Sequence, residues 1–394
     1  MSRFIVFVIV MGIITGMAYF YIGVKFYQRS EFVRNHLLVF LILMIFFWLL
    51  TPSGVGVSLF RSDRMGQILG TLAYINFGFF SILLFLTVLS DLIKLMYNFI
   101  EPGIESHFPE NYISRKEAIL NLVQPAILGT SALVSLYSFV EAKYRLKLEK
   151  VVIKFPDLPK DLDGFRILQI SDIHIGPTIK KDFLEMVVGM VNSRNPDMIA
   201  ITGDLVDGSV SNLREHTQPI EKLKSKYGTF FVTGNHEYYS GVLDWVRELK
   251  SLGVRVLLNE SEIIESGKSR LLVGGVTDYS TRGINGAHAS NPFACMEGNE
   301  SCDFKLLLAH QPRSIFEASK AGFDLQISGH THGGQYFPGN LLIYLFQPYV
   351  AGLYRHESSM VYVNRGTGYW GPPFRTGNRP EITELVLKTG SGKS

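Results

Sequence analysis

Apolar residues are distributed along this chain in two ways, and the change falls near residue 146. In the first part, Phe4–Val24, Asn35–Phe60, Met65–Ser90 and Ala118–Val140 contain no Asp, Glu, Lys or Arg and are apolar on every helical face. Each has the ~20 residues that an α-helix needs to cross a hydrocarbon core. A helix of a soluble bundle would show a single apolar stripe, so the pattern predicts four membrane spans. A secretory signal has an apolar stretch of roughly 7 to 15 residues. Phe4–Val24 is longer and ends in Tyr19, Phe20 and Tyr21, which suits an uncleaved helix with interfacial aromatics. Asn121 and Gln124 are the most polar interior residues of the spans, whereas a proton or ion path would carry buried charges. The expectation is an anchor and not a transporter, with its last helix kinked at Pro125.

From Val151 the pattern becomes that of a soluble α/β domain. Runs of strand length, rich in β-branched residues, recur at Phe165–Ile170, Met198–Thr202, Thr229–Val232, Leu271–Val276, Phe304–Ala309, Leu325–Ser328, Met360–Val363 and Ile382–Leu387, each stopping at a polar or glycine-rich turn. Lys181–Asn192 and Gly241–Leu252 carry apolar residues three and four apart, as a helix packed on a sheet requires. The expected division is residues 1–146 as a four-span transmembrane anchor and 147–394 as the α/β domain. Only Thr389–Ser394 reads as a frayed tail.

Of 394 residues, 47% are hydrophobic and 19% charged, with a mean hydropathy of +0.17. That excludes a disordered or fibrous chain. A net charge of +3 is too small to suggest nucleic acid as a partner. Cys295 and Cys302 cannot form a disulfide framework for a chain this long, and are either paired or free. Four spans put both chain ends on one side. Arg3, Arg61, Arg64, Lys143, Arg145, Lys147 and Lys150 lie there, against Lys25, Arg29, Arg34, Lys94, Arg115 and Lys116 on the other. The dense run from Lys143 to Lys150 tips the balance toward a cytoplasmic C-terminal domain.

The informative residues stand at the strand ends. Ser171-Asp172-Ile173-His174 follows the first strand, Gly203-Asp204 the second, Gly234-Asn235-His236-Glu237 the third, His310 the fifth and Gly329-His330-Thr331-His332 the sixth. In α/β sheets, functional groups gather where strands run out into loops. Asp172 and His174 are two apart, so on extended backbone they emerge on one side and can hold one ion. His330 and His332 have the same spacing. Nitrogen and oxygen donors without thiolate suit Mn, Fe, Zn or Co. A single Asp after a strand is usually a cap or turn former, and a single buried His is usually only hydrogen-bonded. Metal-ligand residue types at five strand ends are hard to obtain without a metal site. His216, His288 and His356 lie outside these turns and read as structural.

The ordered series Asp-x-His, Gly-Asp, Gly-Asn-His-Glu, His and Gly-His-x-His resembles the calcineurin-like metallophosphoesterase family from about Phe165 to Leu387. The longer forms Gly329-His330-Thr331-His332-Gly333-Gly334-Gln335 and Arg365-Gly366-Thr367-Gly368-Tyr369-Trp370-Gly371-Pro372-Pro373 resemble its membrane-associated bacterial branch, the YkuE-like and YaeI-like phosphoesterases. Ala287–Asp303, which holds both cysteines, is longer and more polar than in that branch. The resemblance implies a four-layer α-β-β-α sandwich with two divalent metals between the sheets, Mn²⁺ first and Zn²⁺, Fe²⁺ or Co²⁺ as alternatives. It implies that Asp172, His174 and His332 bind the first metal, and that Asn235, His310 and His330 bind the second. Asp204 bridges them, and His236 serves the leaving oxygen. The location it implies is a bacterial inner membrane.

Substrate signals are thinner. Tyr336–Tyr354 follows the last ligands without a charge and includes Leu341-Leu342-Ile343-Tyr344-Leu345-Phe346. It is either a core element or a segment that rests on the bilayer and admits an acyl chain. Arg365 and Arg375 either pair with phosphate oxygens or are solvated at the surface. Two classes of function compete. One is a metal-dependent phosphohydrolase acting on a phosphodiester or pyrophosphate of a lipid-linked substrate, of phospholipid or UDP-diacylglucosamine type. The other is a non-enzymatic membrane sensor or scaffold that retains the metal-bound fold. Every bridging and leaving-group residue is present, which favours the enzyme.

Overall fold

The computed structural model describes residues 2–60, 64–104, 112–283, 288–299 and 301–390. Arg61, one of the charges weighed for orientation, Ala287 and Glu300 of the cysteine-bearing segment, and 391–394 of the tail lie outside them. The chain divides into two compact units, Met1–Val140 with Gly371–Phe374, and Glu141–Trp370 with Arg375–Ser394.

The first unit is helical: α1 (Ser2–Arg29), α2 (Glu31–Asn35), α3 (Leu37–Phe60), α4 (Arg64–Ile104) and most of α5 (Tyr112–Tyr144). Four of these helices are long and apolar enough to span, over Val8–Arg29, Leu37–Val57, Arg64–Phe99 and Leu122–Tyr144. This is a multi-pass membrane protein. The break between α1 and α3 is made by Ser30, whose hydroxyl accepts from the Val33 amide at 3.3 Å and caps α2. Two polar features escaped the sequence pattern. Asn76 on α4 donates to the Phe47 carbonyl and the Thr51 hydroxyl of α3, both at 2.8 Å, and to the Tyr19 hydroxyl of α1 at 3.0 Å. Such bonds join helices where no water competes. Helix α4 also continues beyond Ser90, so Asp91 is helical. It pairs with Lys25 at 2.6 Å and with Arg29, and takes the Tyr21 hydroxyl at 2.6 Å. A carboxylate in a spanning helix is tolerated when paired in this way.

In the second unit the eight strand-length runs form strands β2 (Arg166–Ile170), β3 (Met198–Ile201), β4 (Thr229–Phe231), β7 (Ser269–Gly275), β8 (Phe304–Leu308), β9 (Leu325–Ser328), β11 (Ser359–Val363) and β12 (Glu381–Thr389). The two periodic stretches are helices α6 (Lys181–Asn192) and α9 (Val242–Ser251). Four strands join them: β1 (Lys147–Phe155), β5 (Arg255–Val256), β6 (Glu260–Ser266) and β10 (Gly352–His356). One six-stranded sheet has the order β1-β12-β2-β3-β4-β5 and the other β10-β11-β9-β8-β7-β6. Both are mixed: β12 runs antiparallel to β2, and β6 and β10 run antiparallel to their neighbours, while the central strands are parallel.

The apolar runs lack alternation because both strand faces are covered. Ile167, Met198, Ala200, Leu306, Leu308 and Ile327 fill the core between the sheets. Their neighbours Leu168, Ile199 and Ile201 pack outward with Leu184, Val188, Trp245 and Leu249 of α6 and α9. On the far side Leu307 and Ala309 pack with Ile315 and Ala318 of α10 (Ile315–Ala321). Two sheets flanked by helices result, the metallophosphoesterase architecture that the motifs implied. Cys295 and Cys302 are free, buried thiols in this outer core, and burial pushes the Cys295 thiol up to about 12.

Candidate metal centre

The ends of the parallel strands of both sheets supply the site. Asp172 and His174 follow β2, Asp204 follows β3, His310 follows β8, and His330 and His332 follow β9. Asn235 and His236 open α8 (Asn235–Ser240) directly after β4. Asp172, His174, Asp204, His330 and His332 all have left-handed backbone, with φ between 49° and 73°. Each such non-glycine residue costs on the order of 1 to 3 kcal/mol and persists only where the surroundings over-determine it. Close packing sets the glycines beside them. A Cβ on Gly329 would stand 2.1 Å from Asp172 Oδ2, and one on Gly234 would stand 2.2 Å from Asp204 Oδ1.

Asp172, His174 and His332 form one cluster, with His174 Nε2 3.1 Å from His332 Nε2 and His332 Nε2 3.5 Å from Asp172 Oδ1. Asp204, His310 and His330 form a second, with His310 Nε2 3.1 Å from Asp204 Oδ2 and 3.2 Å from His330 Nδ1. Asp204 Oδ2 is also 4.0 Å from His174 Nε2 and 3.9 Å from His236 Nε2, so this oxygen is common to both clusters. Asn235 sits between Gly234, which approaches Asp204 closely, and His236, whose amide donates to Asp204 Oδ1 at 2.9 Å.

Charge is balanced by proximity. Burial opposes ionisation of Asp204, yet His310, His236 and His174 hold it well below the usual carboxylate range. Burial likewise opposes an imidazolium at His310, but Asp204 beside it pushes the ring well above its ordinary value. His332 is pushed well below its ordinary value by burial and then by the Arg375 guanidinium, and His330 is lowered by burial and by His310. Neutral rings of this kind are the ligand-competent form. Asn235 Oδ1 is buried without a hydrogen-bond partner. A lone buried acceptor is costly unless it meets a cation. The donor set therefore fits a pair of divalent metals, held by nitrogen and oxygen alone.

Two residues that shape the site carry no role in the sequence pattern: Asp207, outside the motifs, and Glu237, the last residue of Gly-Asn-His-Glu. Asp207 Oδ1 accepts from His174 Nδ1 at 3.1 Å and from His236 Nδ1 at 2.6 Å, which leaves the Nε2 atom of each ring for the site. Although burial opposes its charge, these two rings hold Asp207 below the carboxylate range. His236 is raised to about 9: burial works against its charge, and Asp207 outweighs it. An acidic residue three positions after Gly203-Asp204 was the available signal. Glu237 accepts from the amides of Gly234, Leu205 and Asp204 at 2.7, 2.8 and 3.0 Å, tying the end of β3 to the start of α8. Burial, followed by the charge of Asp204, raises it to about 8.

Arg375 meets neither expectation made for it. It is fully buried, and Nη1 donates to the carbonyls of His332 at 2.9 Å and Arg365 at 2.6 Å, while Nη2 donates to Gly368 and faces His332 Nδ1 at 3.0 Å. These donors hold the turn that carries His332. Arg365 is engaged with buried Glu381 at 2.9 Å. His288 and His356 lie elsewhere, against the Tyr238 and Tyr349 hydroxyls at 3.1 and 2.9 Å.

The family profile described as calcineurin-like phosphoesterase matches residues 165–334, the stretch that supplies every residue of the two clusters. The chain belongs to the calcineurin-like metallophosphoesterase family. It is 33% identical over 355 residues to a "Transmembrane protein with metallophosphoesterase domain" of Danio rerio, covering 88% of this chain and 80% of that protein. A protein of the same name from Bos taurus is 39% identical over 274 residues, covering 67% of this chain and 62% of the relative. A metallophosphoesterase of Campylobacter jejuni is 29% identical over 395 residues, covering 98% of this chain and 99% of its own length. Membrane spans and a metallophosphoesterase domain thus occur together in this protein.

Proposed function

We propose that the protein hydrolyses a phosphodiester or pyrophosphate bond in a lipid-linked substrate, of phospholipid or UDP-diacylglucosamine type. The observation that carries the lipid part is the segment leaving the His332 turn. Helix α11 (Gly339–Leu342) and the turn after it bury none of their residues. Leu345 is 76% and Phe346 66% exposed, with Leu341, Leu342 and Tyr344 also outward. Contiguous exposed apolar side chains of this size mark a binding or membrane-contacting surface. Of the two readings of Tyr336–Tyr354, exposure favours the one that serves an amphiphile.

In this reading Asp172, His174 and His332 would hold one divalent cation, Asn235, His310 and His330 would hold the second, and Asp204 would be shared. Mn²⁺ is the first choice, with Zn²⁺, Fe²⁺ and Co²⁺ also suited to the donors. A bound pair of this kind acidifies a water, orients it and neutralises phosphoryl charge. His236, with Nδ1 committed to Asp207, presents Nε2 to the site. An imidazolium there can protonate the departing oxygen. The catalytic unit would lie on the cytoplasmic face of a bacterial inner membrane, as the Lys143–Lys150 run suggests.

The test is lipid-product analysis of the purified full-length protein in bilayer discs with Mn²⁺. A water-soluble phosphate ester and a trimmed lipid should appear together. Turnover of soluble diesters with every lipid left intact would reject the lipid-linked assignment.

A further inference from the structure

Two aromatic side chains border His236 and remain in solvent. The Tyr239 ring lies 5.4 Å from the imidazole at 67°, and the Trp370 ring lies 5.7 Å away at 72°. Tyr239 is 67% and Trp370 55% exposed. Tyr239 stands one helical turn after His236 on α8 and so moves with it. Trp370 is held independently: its amide donates to Gln335 Oε1 and its carbonyl accepts from Gln335 Nε2, both at 2.9 Å. Gln335 is itself buried and directly follows the glycines after His332. A two-point clamp thus fixes the backbone of an indole that folding has left uncovered. Large aromatic faces left in water next to a reacting group are suited to stacking on a ligand ring.

We propose that Tyr239 and Trp370 form a leaving-group subsite that takes a planar, unsaturated ring of nucleobase size. The proposal rests on the reading of His236 as the group beside the departing oxygen. It adds what that departing group is: an alcohol or phosphate carrying a flat ring, stacked on the indole or phenol while His236 addresses its oxygen. A simple alkyl leaving group would use none of this surface.

The test uses the full-length protein with Mn²⁺ and three soluble methyl phosphodiesters whose leaving alcohols are 2-(1-naphthyl)ethanol, its saturated decalin analogue and ethanol. The monomethyl ester of 3-(1-naphthyl)propylphosphonic acid, a phosphonate with carbon in place of the scissile oxygen, cannot release its naphthyl group and serves as the probe for equilibrium binding. Trp370→Ala and Tyr239→Ala should each lower kcat/KM for the naphthyl ester, and affinity for its phosphonate, by about tenfold, the scale of one lost stacking partner. The ethyl ester should change less than about twofold, and Trp370→Phe should keep most of the preference for the naphthyl ester. Equal losses for naphthyl and ethyl esters would make these rings supports for His236 and overturn the subsite. Equal losses for naphthyl and decalin esters would overturn the planar-ring assignment. If no ester turns over while the phosphonate still binds with Trp370-dependent affinity, the hydrolytic reading and with it the leaving-group role are overturned, and only a planar-ring binding site at Trp370 stands. Normal turnover with no preference among the three esters would overturn the subsite and leave the hydrolytic reading intact.

Discussion

Nδ1 of His236 lies 2.6 Å from Oδ1 of Asp207, so the carboxylate both orients the ring and stabilises its charged form. Removing that charge should lower the imidazole's pKa, which now stands at about 9. A group with a raised pKa is protonated below it and loses its proton as pH rises through it. The acid-dependent step should therefore fail on the alkaline side, and Asp207→Asn should move that failure to lower pH. The pH profile of kcat for an alkyl phosphodiester checks this. An alkaline limb that does not move in the variant would remove Asp207 from the role.

Asp204→Asn keeps the shape of the residue and removes its charge. Because Asp204 Oδ2 lies within 4.0 Å of His174, His310 and His236, both clusters should lose affinity for cations. Turnover should disappear, and elemental analysis should find less metal per chain. Full metal content with normal activity would contradict a shared carboxylate.

His236→Ala should separate chemistry from binding. The expected variant keeps its metals and loses ~10² to 10⁴ in rate, the usual contribution of a positioned acid. The deficit should shrink for nitrophenolate, which departs without a proton. Metal loss, or an equal deficit across leaving groups, would assign His236 elsewhere.

The strand ends were legible because the strands are buried on both faces: apolar runs such as Met198–Ile201 end abruptly where the chain leaves the sheet, and polar residues there stand out. The edge strands were not. Glu260–Ser266 is half exposed, Arg255–Val256 has two residues, and the alternating charges of Lys147–Phe155 hide a strand that needs β12 as its partner. Asp207 was hidden for a geometric reason. The Ile175–Val206 bridge carries the sheet register past Asp172, His174 and Asp204, and it is this extension that brings Asp207 to His174. The role of Arg375 is illegible in the sequence because its partners are mostly backbone carbonyls, which no residue pattern announces.

Leu345→Ser with Phe346→Ser should weaken capture of a long-chain lipid substrate, since each apolar side chain buried in lipid contributes ~1.5 to 3 kcal/mol. A short water-soluble ester should be cleaved as before. Thermal stability should also hold, because both side chains are exposed in the folded chain. A drop in Tm and in both activities would make the segment part of the core.

The boundary of the catalytic unit can be tested with two fragments. The last turn of α5 belongs to that unit: Ala142 lies in its core, Glu141 accepts from the Gly377 amide and Arg379 Nε at 3.0 Å, and Lys143 donates to the Thr178 carbonyl at 3.0 Å. A fragment from Glu141 should melt at a higher temperature than one from Lys147, and both should cleave a soluble diester with Mn²⁺. A folded, metal-loaded but inactive fragment would show that the spanning helices contribute to the chemistry.

The left-handed backbone at Asp172, His174, Asp204, His330 and His332 sets activity and robustness in opposition. Glycine accepts that conformation freely, whereas histidine does so only under constraint from its neighbours. His330→Gly should therefore yield a catalytically dead protein that resists heat better than the active one when both are stripped of metal. Selection for thermal resistance in a metal-free screen would then tend to erase the site, so an effort to harden this protein should be run with divalent cations added.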